Sequence, residues 1–399
     1  MDSRGILDLI LKYKNFIVQV EQITIRRREV DKDLRFIPLL PYQLLIYLIT
    51  RGGTIMSQAY SIELRKKRWT DFLNKNGKDR HLFIINYEPD NKPRPPLHPD
   101  YSKEHIEWAW EQYIRHSERT QWLYDDSIPY LDMLTGTEIF AEAFGCKVHR
   151  TENNNPFALP MVRNVSEAIK IKPIALYNST LVRFFEMADV LKDRAGDDAI
   201  LRLVDIQTPM DIAALIWEKN DFYISLLEEP EAVKELSAKV YSLLTSFLDE
   251  WFMRYGKDFI AHFPPYYMPY GISVSEDEIG VINSEMFMEF FYPELSDLSQ
   301  RYGGIGIHCC ANSRHQWENF KKIPGLKLIN INQPEKLMRE SWGFFAKHAA
   351  QWPAWLGQGE PWTWPSQHPS EARIVLEVTA YSKEQALELS EKLQKACGR

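Results

Sequence analysis

Cysteine is scarce in this chain, with four among 399 residues. Because so few cysteines exclude a disulfide framework, we expect a protein of a reducing compartment, the cytoplasm. No apolar run reaches the ~18 residues of a membrane span, and the most apolar early stretch, residues 39–50, is interrupted by Pro41 and Gln43. Basic runs are confined to residues 26–28 and 65–68, and the net charge is −7. These absences disfavour membrane and nucleic-acid partners and leave a small-molecule substrate as the expectation.

What remains is the composition of a globular chain, with 45% apolar and 26% charged residues. Residues 1–55 follow an irregular pattern that is broken at Gly52 and Gly53, and a regular pattern starts at Met56. We therefore expect residues 1–55 to be an N-terminal helical extension, upstream of a natural start at Met56. Residues 56–399 are then expected to form one domain.

Short apolar runs alternate with helical patterns throughout this domain. Residues 81–87 (HLFIINY) predict a buried strand, and Pro230 opens a long predicted helix that ends at residue 255. Further predicted strands are residues 199–206, 270–274, 326–332 and 372–379. Strands that alternate with helices of this length predict an α/β fold with a parallel sheet.

In parallel α/β folds, catalytic and binding residues lie at the carboxyl ends of the strands. Polar residues follow five of the predicted strands, and they are Asn86, Glu88, Asp205, Gln207, Glu276, Asp277, His308, Cys310, Asn330 and Asn332. Each alone is also consistent with a cap or a loop, but together they predict one pocket. The candidate proton-handling acids are Asp205, Glu276 and Asp277. The candidate substrate-binding residues are Asn86, Gln207, Asn332, Tyr266 and Tyr270.

The most informative stretch is residues 303–312, GGIGIHCCAN, which predicts a short buried strand that ends in a turn. Side chains alternate along a strand, so His308 and Cys310 share one face and Cys309 takes the other. An imidazole and a thiol on one face can hold zinc. Two alternatives stay open, namely plain core packing of these residues and a catalytic thiol at Cys309 or Cys310.

The stretch from Asp205 to Cys310 resembles the uroporphyrinogen decarboxylase superfamily, which includes cobalamin-dependent methyltransferases that act with corrinoid proteins. The resembling segments, in family order, are DIQTP (205–209), LEEPEAV (227–233), SED (275–277), INSEMF (282–287) and IHCCAN (307–312). GTEIFAEAFG at 136–145 is similar to a segment of less characterised members. The resemblance covers roughly residues 80–390 and implies a (β/α)8 TIM barrel.

The two branches of this superfamily imply different chemistry. True decarboxylases bind the carboxylates of their substrate with an arginine-rich loop similar to Phe-Met-Arg-Gln-Ala-Gly-Arg, and they carry a late Gly-His-Gly. This chain has neither string, and its strand at 81–87 leads into Glu88-Pro89-Asp90, which has the wrong charge for a polyacid.

The methyltransferase branch holds zinc with a His-x-Cys and a later Cys. His308 and Cys310 match the first half, but the cysteine that remains downstream, Cys397, falls inside the last predicted helix. The resemblance therefore implies zinc on His308 and Cys310. The candidates for a third ligand are Glu276, Asp277 and Glu360.

These observations favour a zinc-assisted methyltransferase that works with a corrinoid protein. One alternative is a metal-free decarboxylase of uroporphyrinogen or a related tetrapyrrole acid. A second alternative is a barrel that binds a small molecule or a partner protein without turnover.

Overall fold

The computed structural model describes residues 61–133, 135–151 and 155–399. Its strands are β1 (His81–Tyr87), β2 (Tyr130–Leu131), β3 (Lys147–His149), β4 (Phe157–Leu159), β5 (Ile200–Leu201), β6 (Phe259–Ile260), β7 (Tyr267–Met268), β8 (Ile272–Ser275), β9 (Ile305–Cys309), β10 (Leu326–Ile331), β11 (Ala350–Gln351) and β12 (Ile374–Ala380). The expected extension over residues 1–55 lies outside the described residues.

The α-helices are α1 (Ile62–Asn74), α2 (Ser102–Arg119), α3 (Ile139–Ala143), α4 (Val165–Ala168), α5 (Val182–Ala195), α6 (Pro209–Ile216), α7 (Lys219–Glu228), α8 (Pro230–Tyr255), α9 (Ser284–Met286), α10 (Tyr292–Tyr302), α11 (Trp317–Phe320), α12 (Glu335–Phe345) and α13 (Lys383–Ala396). A π-helical turn, Phe287–Phe291, joins α9 to α10. Single 3₁₀ segments are Glu88–Asp90, Pro99–Tyr101, Leu176–Asn178, Glu278–Gly280, Arg314–Gln316 and Pro361–Gln367.

The main sheet contains six strands in the order β1-β12-β11-β10-β9-β8, and all of its pairs are parallel. β2 pairs in parallel with β5, and the chain that continues from β5 forms a parallel bridge between Gln207 and Ser275 of β8. Within the described part of the chain, eight parallel strands therefore follow one another around a ring. With a helical segment after each strand, this is the (β/α)8 barrel that the sequence predicts.

Two carboxylates join β1 to β2, where a regular ladder is missing from the described ring. Asp126 accepts the N–H of Phe83 at 2.9 Å and returns its own N–H to the carbonyl oxygen of Phe83. Asp125 accepts the N–H of Ile85 at 2.9 Å and pairs with the buried guanidinium of Arg65 at 3.0 Å. The side chains thus satisfy backbone donors that would otherwise lie unpaired in the core.

Side chains of β1 and β12 alternate between the inside and the outside of the barrel. Leu82, Ile84 and Val375 belong to the main core, whereas Phe83 and Leu376 belong to an outer apolar layer that includes residues of α13. The inward positions closer to the carboxyl ends are Asn86 and Glu377, which are polar. The interior therefore changes from apolar to polar toward the carboxyl ends of the strands.

The opposite end of the barrel is closed by α1. Asn74, at the end of α1, accepts hydrogen bonds from Tyr270 at 2.9 Å and from Lys327 at 2.7 Å. These two residues lie at the amino-terminal ends of β8 and β10. Trp69 of α1 is buried and stacks on Trp352 with ring centroids 6.3 Å apart. The interior of the barrel is therefore closed at its amino-terminal end and opens at the carboxyl ends of the strands.

Some predicted strands are shorter in the structure. The expected strand at 199–206 has ladder pairing over Ile200–Leu201 alone, because beyond it the chain bridges first to Ile260 and then to Ser275. None of the helices that the structure describes is both long enough and apolar enough to cross a membrane.

Candidate metal centre

β9 ends at the mouth of the barrel with His308, Cys309 and then Cys310. The Nε2 atom of His308 lies 2.8 Å from Cys310 Sγ, so these two side chains share a face, as the alternation along a strand predicts. Cys309 belongs to the core, and its thiol lies 3.6 Å from the carbonyl oxygen of Ala311. His308 is buried whereas Cys310 is exposed, which leaves the sulfur open to the mouth.

The neighbouring strand β10 fixes the tautomer of His308. Asn330 lies opposite His308 in the strand register, and its amide nitrogen donates to the carbonyl oxygen of Trp352. Its amide oxygen therefore faces Nδ1 of His308 and accepts that N–H. Because Nδ1 carries the proton, Nε2 keeps its lone pair, which is the form in which histidine binds a metal. The ring of Phe263 packs edge-on against the imidazole with centroids 4.6 Å apart.

Asp277, which follows β8, completes a group of three donors. One ligand atom each from Asp277, His308 and Cys310 lies within 4.8 Å of the others. Asp277 Oδ1 accepts the backbone N–H of Cys310 at 2.5 Å and that of Ala311 at 3.3 Å, so the carboxylate is held against the turn that carries the thiol. Nitrogen, sulfur and carboxylate oxygen are ligands of zinc, and catalytic zinc has three protein ligands and an open position. The residues present therefore fit zinc.

The other two predicted third ligands, Glu276 and Glu360, do not join this group in the described part of the chain. Glu276 is fully buried and accepts a hydrogen bond from the hydroxyl of Thr208. Neighbouring residues along an extended chain project to opposite sides, so Glu276 turns away when Asp277 faces Cys310. Glu360 lies beside Trp362 at another edge of the mouth.

The thiol of Cys310 is not an activated nucleophile in the metal-free protein. Partial desolvation of the sulfur and the charge of Asp277 raise the pKa of Cys310 to about 11, against a hydrogen bond with Asn332 that acts to lower it. Burial raises the pKa of Cys309 further. Reactive cysteines have lowered pKa values, so the alternative of a catalytic thiol has no electrostatic support. A metal held by Cys310 would reverse this situation, because a coordinating thiol loses its proton.

A pair of buried carboxyls, Asp211 and Glu276, lies behind Asp277. Asp211 accepts the backbone N–H of Asp277 at 3.1 Å and that of Glu278 at 3.0 Å, and Gln207 donates to it at 3.3 Å. Burial raises the pKa of Asp211 to about 7 and that of Glu276 well above its usual value. The pair therefore retains a proton near neutral pH, and Asp211 positions the backbone of the candidate ligand.

Asp205 lies in a second polar cluster of the mouth. Its Oδ2 is 3.3 Å from Nε2 of His262, and its backbone N–H donates to the hydroxyl of Thr135 at 2.7 Å. Burial raises the pKa of Asp205 to about 7, although the guanidinium of Arg202 opposes this shift. Burial lowers the pKa of His262 to about 3. The pair is thus a neutral imidazole beside a carboxyl that changes its protonation close to neutral pH.

The predicted substrate-binding residues separate into two groups. Asn332 contacts Cys310, and Gln207 contacts Asp211, so both lie at the mouth. Asn86 also faces the interior and donates to Glu377 at 2.6 Å.

The structure does not bring the two predicted tyrosines to the mouth. Tyr266 is 1% exposed and donates to Ser273 Oγ at 3.0 Å inside the core. Tyr270 precedes β8 and therefore lies at the amino-terminal end of the strand, against Asn74. The prediction that these tyrosines line the pocket was based on their aromatic character. Their location is instead determined by their positions in the chain just before β8 and at its amino-terminal side.

Two residues of the mouth, Asp211 and His262, were missed as functional candidates. Asn330 was predicted at the pocket with the other strand-end residues, but its contact with His308 was not predicted. Asp211 comes three residues after the helix cap Thr208, a position that predicts capping rather than a site. His262 carries no signal in the sequence, because its contact with Asp205 depends on how β6 lies beside β5.

Fold and site together define a (β/α)8 barrel with a His-Cys-Asp donor group at the carboxyl ends of its strands. Residues 113–351 match the model of the uroporphyrinogen decarboxylase (URO-D) family, which is more than half of the chain. The chain therefore belongs to the uroporphyrinogen decarboxylase family, and the resemblance seen in the sequence is confirmed.

Among solved structures, the chain is similar to a methyltransferase from Methanosarcina mazei, with a TM-score of 0.58 and 11% sequence identity. The similarity covers 84% of this chain and 98% of the other. At this identity the likeness shows a shared fold. No curated protein has a significantly similar sequence.

Proposed function

We propose that this protein is a zinc-assisted methyltransferase that acts on a small molecule in the cytoplasm, together with a corrinoid carried by a partner protein. The observation that carries the proposal is the donor group of His308, Cys310 and Asp277, in which Asn330 holds the histidine in its metal-binding tautomer. The name of the structural neighbour, a methyltransferase, supports the same branch of the family.

In this proposal, zinc is held by His308 Nε2, Cys310 Sγ and a carboxylate oxygen of Asp277. When bound, zinc supplies Lewis acidity, which lowers the pKa of a thiol or other methyl acceptor in its open position. Asp277 keeps the turn at Cys310 in place through two backbone N–H groups, and Asp211 holds the backbone of Asp277 in turn. The carboxyl of Asp205, with a pKa of about 7, takes or returns the proton of the acceptor.

The charge of the mouth argues against a polyacidic tetrapyrrole as the substrate. Asp205 and Asp277 lie there, and the guanidinium of Arg202 is already paired with Asp132 at 2.6 Å. A substrate with several carboxylates needs free bidentate cations to bind it. We therefore rank decarboxylation of a tetrapyrrole acid second, and binding without turnover third.

The deciding experiment measures metal content and methyl transfer on the same preparations. The preparations are the wild-type protein, the His308→Ala, Cys310→Ala double variant, and Cys397→Ser as a matched control in the C-terminal segment. Zinc is measured by elemental analysis. Methyl transfer is followed in visible absorbance as thiol-dependent loss of methylcobalamin, and porphyrinogen decarboxylation is assayed in parallel.

We expect about one zinc per chain in the wild type and in Cys397→Ser, and its loss in the double variant. Demethylation of methylcobalamin should follow the zinc. Wild-type protein that binds no zinc when zinc is supplied would refute the metal centre. Turnover of the porphyrinogen without metal would instead establish the decarboxylase.

A further inference from the structure

A second cavity lies between β12 and the segment that precedes it, apart from the metal centre. Its volume is about 400 Å³, which is within the range of small-molecule pockets. One wall is the 3₁₀ segment Pro361–Gln367, and the other is the first half of α13 with the carboxyl end of β12. None of the three candidate zinc ligands lines it. Aromatic, aliphatic and acidic side chains do, and they include Trp362, Trp364, Leu389, Glu360, Glu377 and Glu388.

The cavity exists because β11 and β12 separate toward their carboxyl ends. In the described part of the chain, β12 pairs with β11 at Ile374 alone. The chain after β11 stays with β10, where the N–H of Trp352 donates to the carbonyl oxygen of Ile329 at 3.0 Å. Both Glu377, which faces the barrel interior, and Val378, which belongs to the outer apolar layer, line the space. The cavity therefore occupies a gap in the barrel wall.

The lining of this cavity carries uncompensated negative charge. Among the residues that the structure describes, no lysine, arginine or histidine lines it. The carboxylate of Glu377 accepts from two neutral groups, the amide of Asn86 at 2.6 Å and the indole of Trp352 at 2.9 Å. Neither Glu377 nor Glu360 has an ion-pair partner within the described residues. Two negative charges at one cavity favour a positively charged occupant.

Trp364 gives the cavity an aromatic wall that is fixed before any ligand binds. Its Nε1 donates to the carbonyl oxygen of Gly359 at 3.1 Å. A side chain at position 357 would collide with the indole, so Gly357 lets the ring pack closely against the backbone. In the described part of the chain, no cation lies over this ring. A wall that is already ordered costs little conformational entropy when a ligand binds.

The neighbouring Trp362 shows how this wall accepts an ammonium group. The Nζ atom of Lys392 lies 3.7 Å from the centroid of the Trp362 ring. The same Nζ pairs with Glu388 at 2.6 Å. An ammonium ion between an indole face and a carboxylate is the arrangement in which proteins bind organic ammonium ligands. The chain itself supplies the cation at Trp362, and it supplies none at Trp364.

We propose that this cavity binds a small organic ammonium ion with an apolar body. The ammonium group lies at Glu360 and against the ring of Trp364, and the apolar body packs on Leu389. Glu360 directly precedes the 3₁₀ segment that contains Trp364, and four residues of such a segment span only about 8 Å. One ligand therefore reaches both side chains.

Other kinds of ligand match this cavity less well. An organic anion is repelled by Glu360 and Glu377, and a neutral apolar molecule leaves their charges unpaired. Within the described residues, the acids of this cavity do not form a group of three donors close enough to hold a metal ion. The proposal concerns binding alone, so it depends neither on zinc nor on methyl transfer.

Calorimetric titration of the full chain at pH 7.5 tests the proposal with ligands that have a similar body and different charges. These ligands are benzyltrimethylammonium, benzyl alcohol and phenylacetate. We expect the wild type to bind the ammonium ion about tenfold or more tightly than the alcohol, and to bind phenylacetate least. The affinity should be the same in zinc-free and in zinc-loaded protein, which separates this result from the proposed function.

Variants locate the binding in the cavity. Glu360→Gln keeps the shape of the side chain and removes its charge, and it should weaken binding of the ammonium ion about threefold or more. Trp364→Leu should weaken it about fivefold or more, since the aromatic face is lost. Glu391→Gln removes an exposed charge of α13 outside the cavity and is the matched control, with an affinity within about twofold of the wild type. Circular dichroism of each variant checks that a loss of affinity is not a loss of folding.

Two calorimetric outcomes would overturn the proposal. Equal affinities for the ammonium ion and the alcohol would show that the carboxylates do not select charge. Equal losses in Glu360→Gln and Glu391→Gln would show a general effect of the charge of the protein rather than a site.

A further measurement does not depend on any variant. Crystals of the wild type soaked in (4-bromobenzyl)trimethylammonium should show an anomalous bromine peak between Trp364 and Leu389. A peak elsewhere with none in this cavity, or no bound bromine together with no heat of binding, would refute the site.

Discussion

The ionisation of Asp205 should destabilise the fold, and Asp205→Asn tests this directly. The carboxyl is 9% exposed, and burial raises its pKa from 3.8 to about 7. A raised pKa means that the folded state binds the proton more tightly than the unfolded state does. The associated stability is fully present below pH 3.8 and is lost as the pH rises through about 7.

The size of the effect follows from the shift. Each pKa unit corresponds to about 1.4 kcal/mol, so the ionised carboxylate destabilises the fold by about 4 kcal/mol at high pH. At pH 5 about 2 kcal/mol of the stability contributed by the protonated carboxyl is already lost, because this carboxyl is ionised in the unfolded chain at that pH. Asparagine has the same shape and does not ionise. The stability of the variant relative to the wild type should therefore increase by about 3 kcal/mol between pH 5 and pH 8.

Urea unfolding of both proteins at pH 5 and pH 8 measures this difference. Other titrating groups cancel to a first approximation, because they are present in both proteins. Asp193→Asn, at an exposed position of α5, is the matched control and should show a difference of less than about 0.5 kcal/mol. A relative stability for Asp205→Asn that does not change with pH would show that Arg202 and His262 compensate the charge, and the assigned role in proton transfer would fail with it.

Two further predictions concern single side chains. Asn330→Ala removes the acceptor that holds the proton on His308 Nδ1, so zinc affinity in a chelator competition should fall about 10–100-fold while Cys310 is unchanged. Unaltered affinity would show that Asn330 does not orient the ligand. Arg65→Met leaves the buried carboxylate of Asp125 without its cation, and urea unfolding should show a loss of about 3–5 kcal/mol. Arg339→Met removes the exposed ion pair with Glu335 and should cost less than about 1 kcal/mol. Equal losses of unfolding free energy in the two variants would show that burial does not determine the cost of breaking these pairs.

Much of the barrel could be predicted because its strands appear in the sequence as local apolar patterns. Residues 81–87 form one strand with the predicted bounds, and His308 and Cys310 lie on one face because alternation is a property of any strand. The segment after Asp198 was harder to predict. Its apolar run predicts a strand to residue 206, but the neighbours on the two sides change along it, so regular pairing ends at Leu201.

Contacts between distant segments could not be predicted in the same way. In the sequence, Asp125 and Asp126 are a pair of acids before a proline-containing turn. In the structure, their carboxylates accept backbone N–H groups of β1 in place of ladder hydrogen bonds from β2. Nothing local distinguishes such carboxylates from solvated ones. The same holds for Asp205, whose contact with His262 depends on how β6 lies beside β5. In both cases the partner is far away in sequence, and no short-range pattern encodes it.

The third donor also shows that a missing residue of a motif does not by itself exclude a metal site. The resemblance implies a second cysteine, whereas the geometry offers Asp277 in its place. A thiolate and a carboxylate carry the same charge, so either one, together with the thiolate of Cys310 and a neutral histidine, offsets the two positive charges of zinc. In the proposed centre this change would replace a soft ligand with a harder one and would leave the net charge at zero. If zinc binds as proposed, a neutral centre would keep its open position electrophilic toward a thiol acceptor, and the two N–H groups on Asp277 Oδ1 would limit how much charge that carboxylate donates. Asp277→Cys should therefore retain zinc, while Asp277→Asn should bind it more weakly because the centre then carries an uncompensated charge.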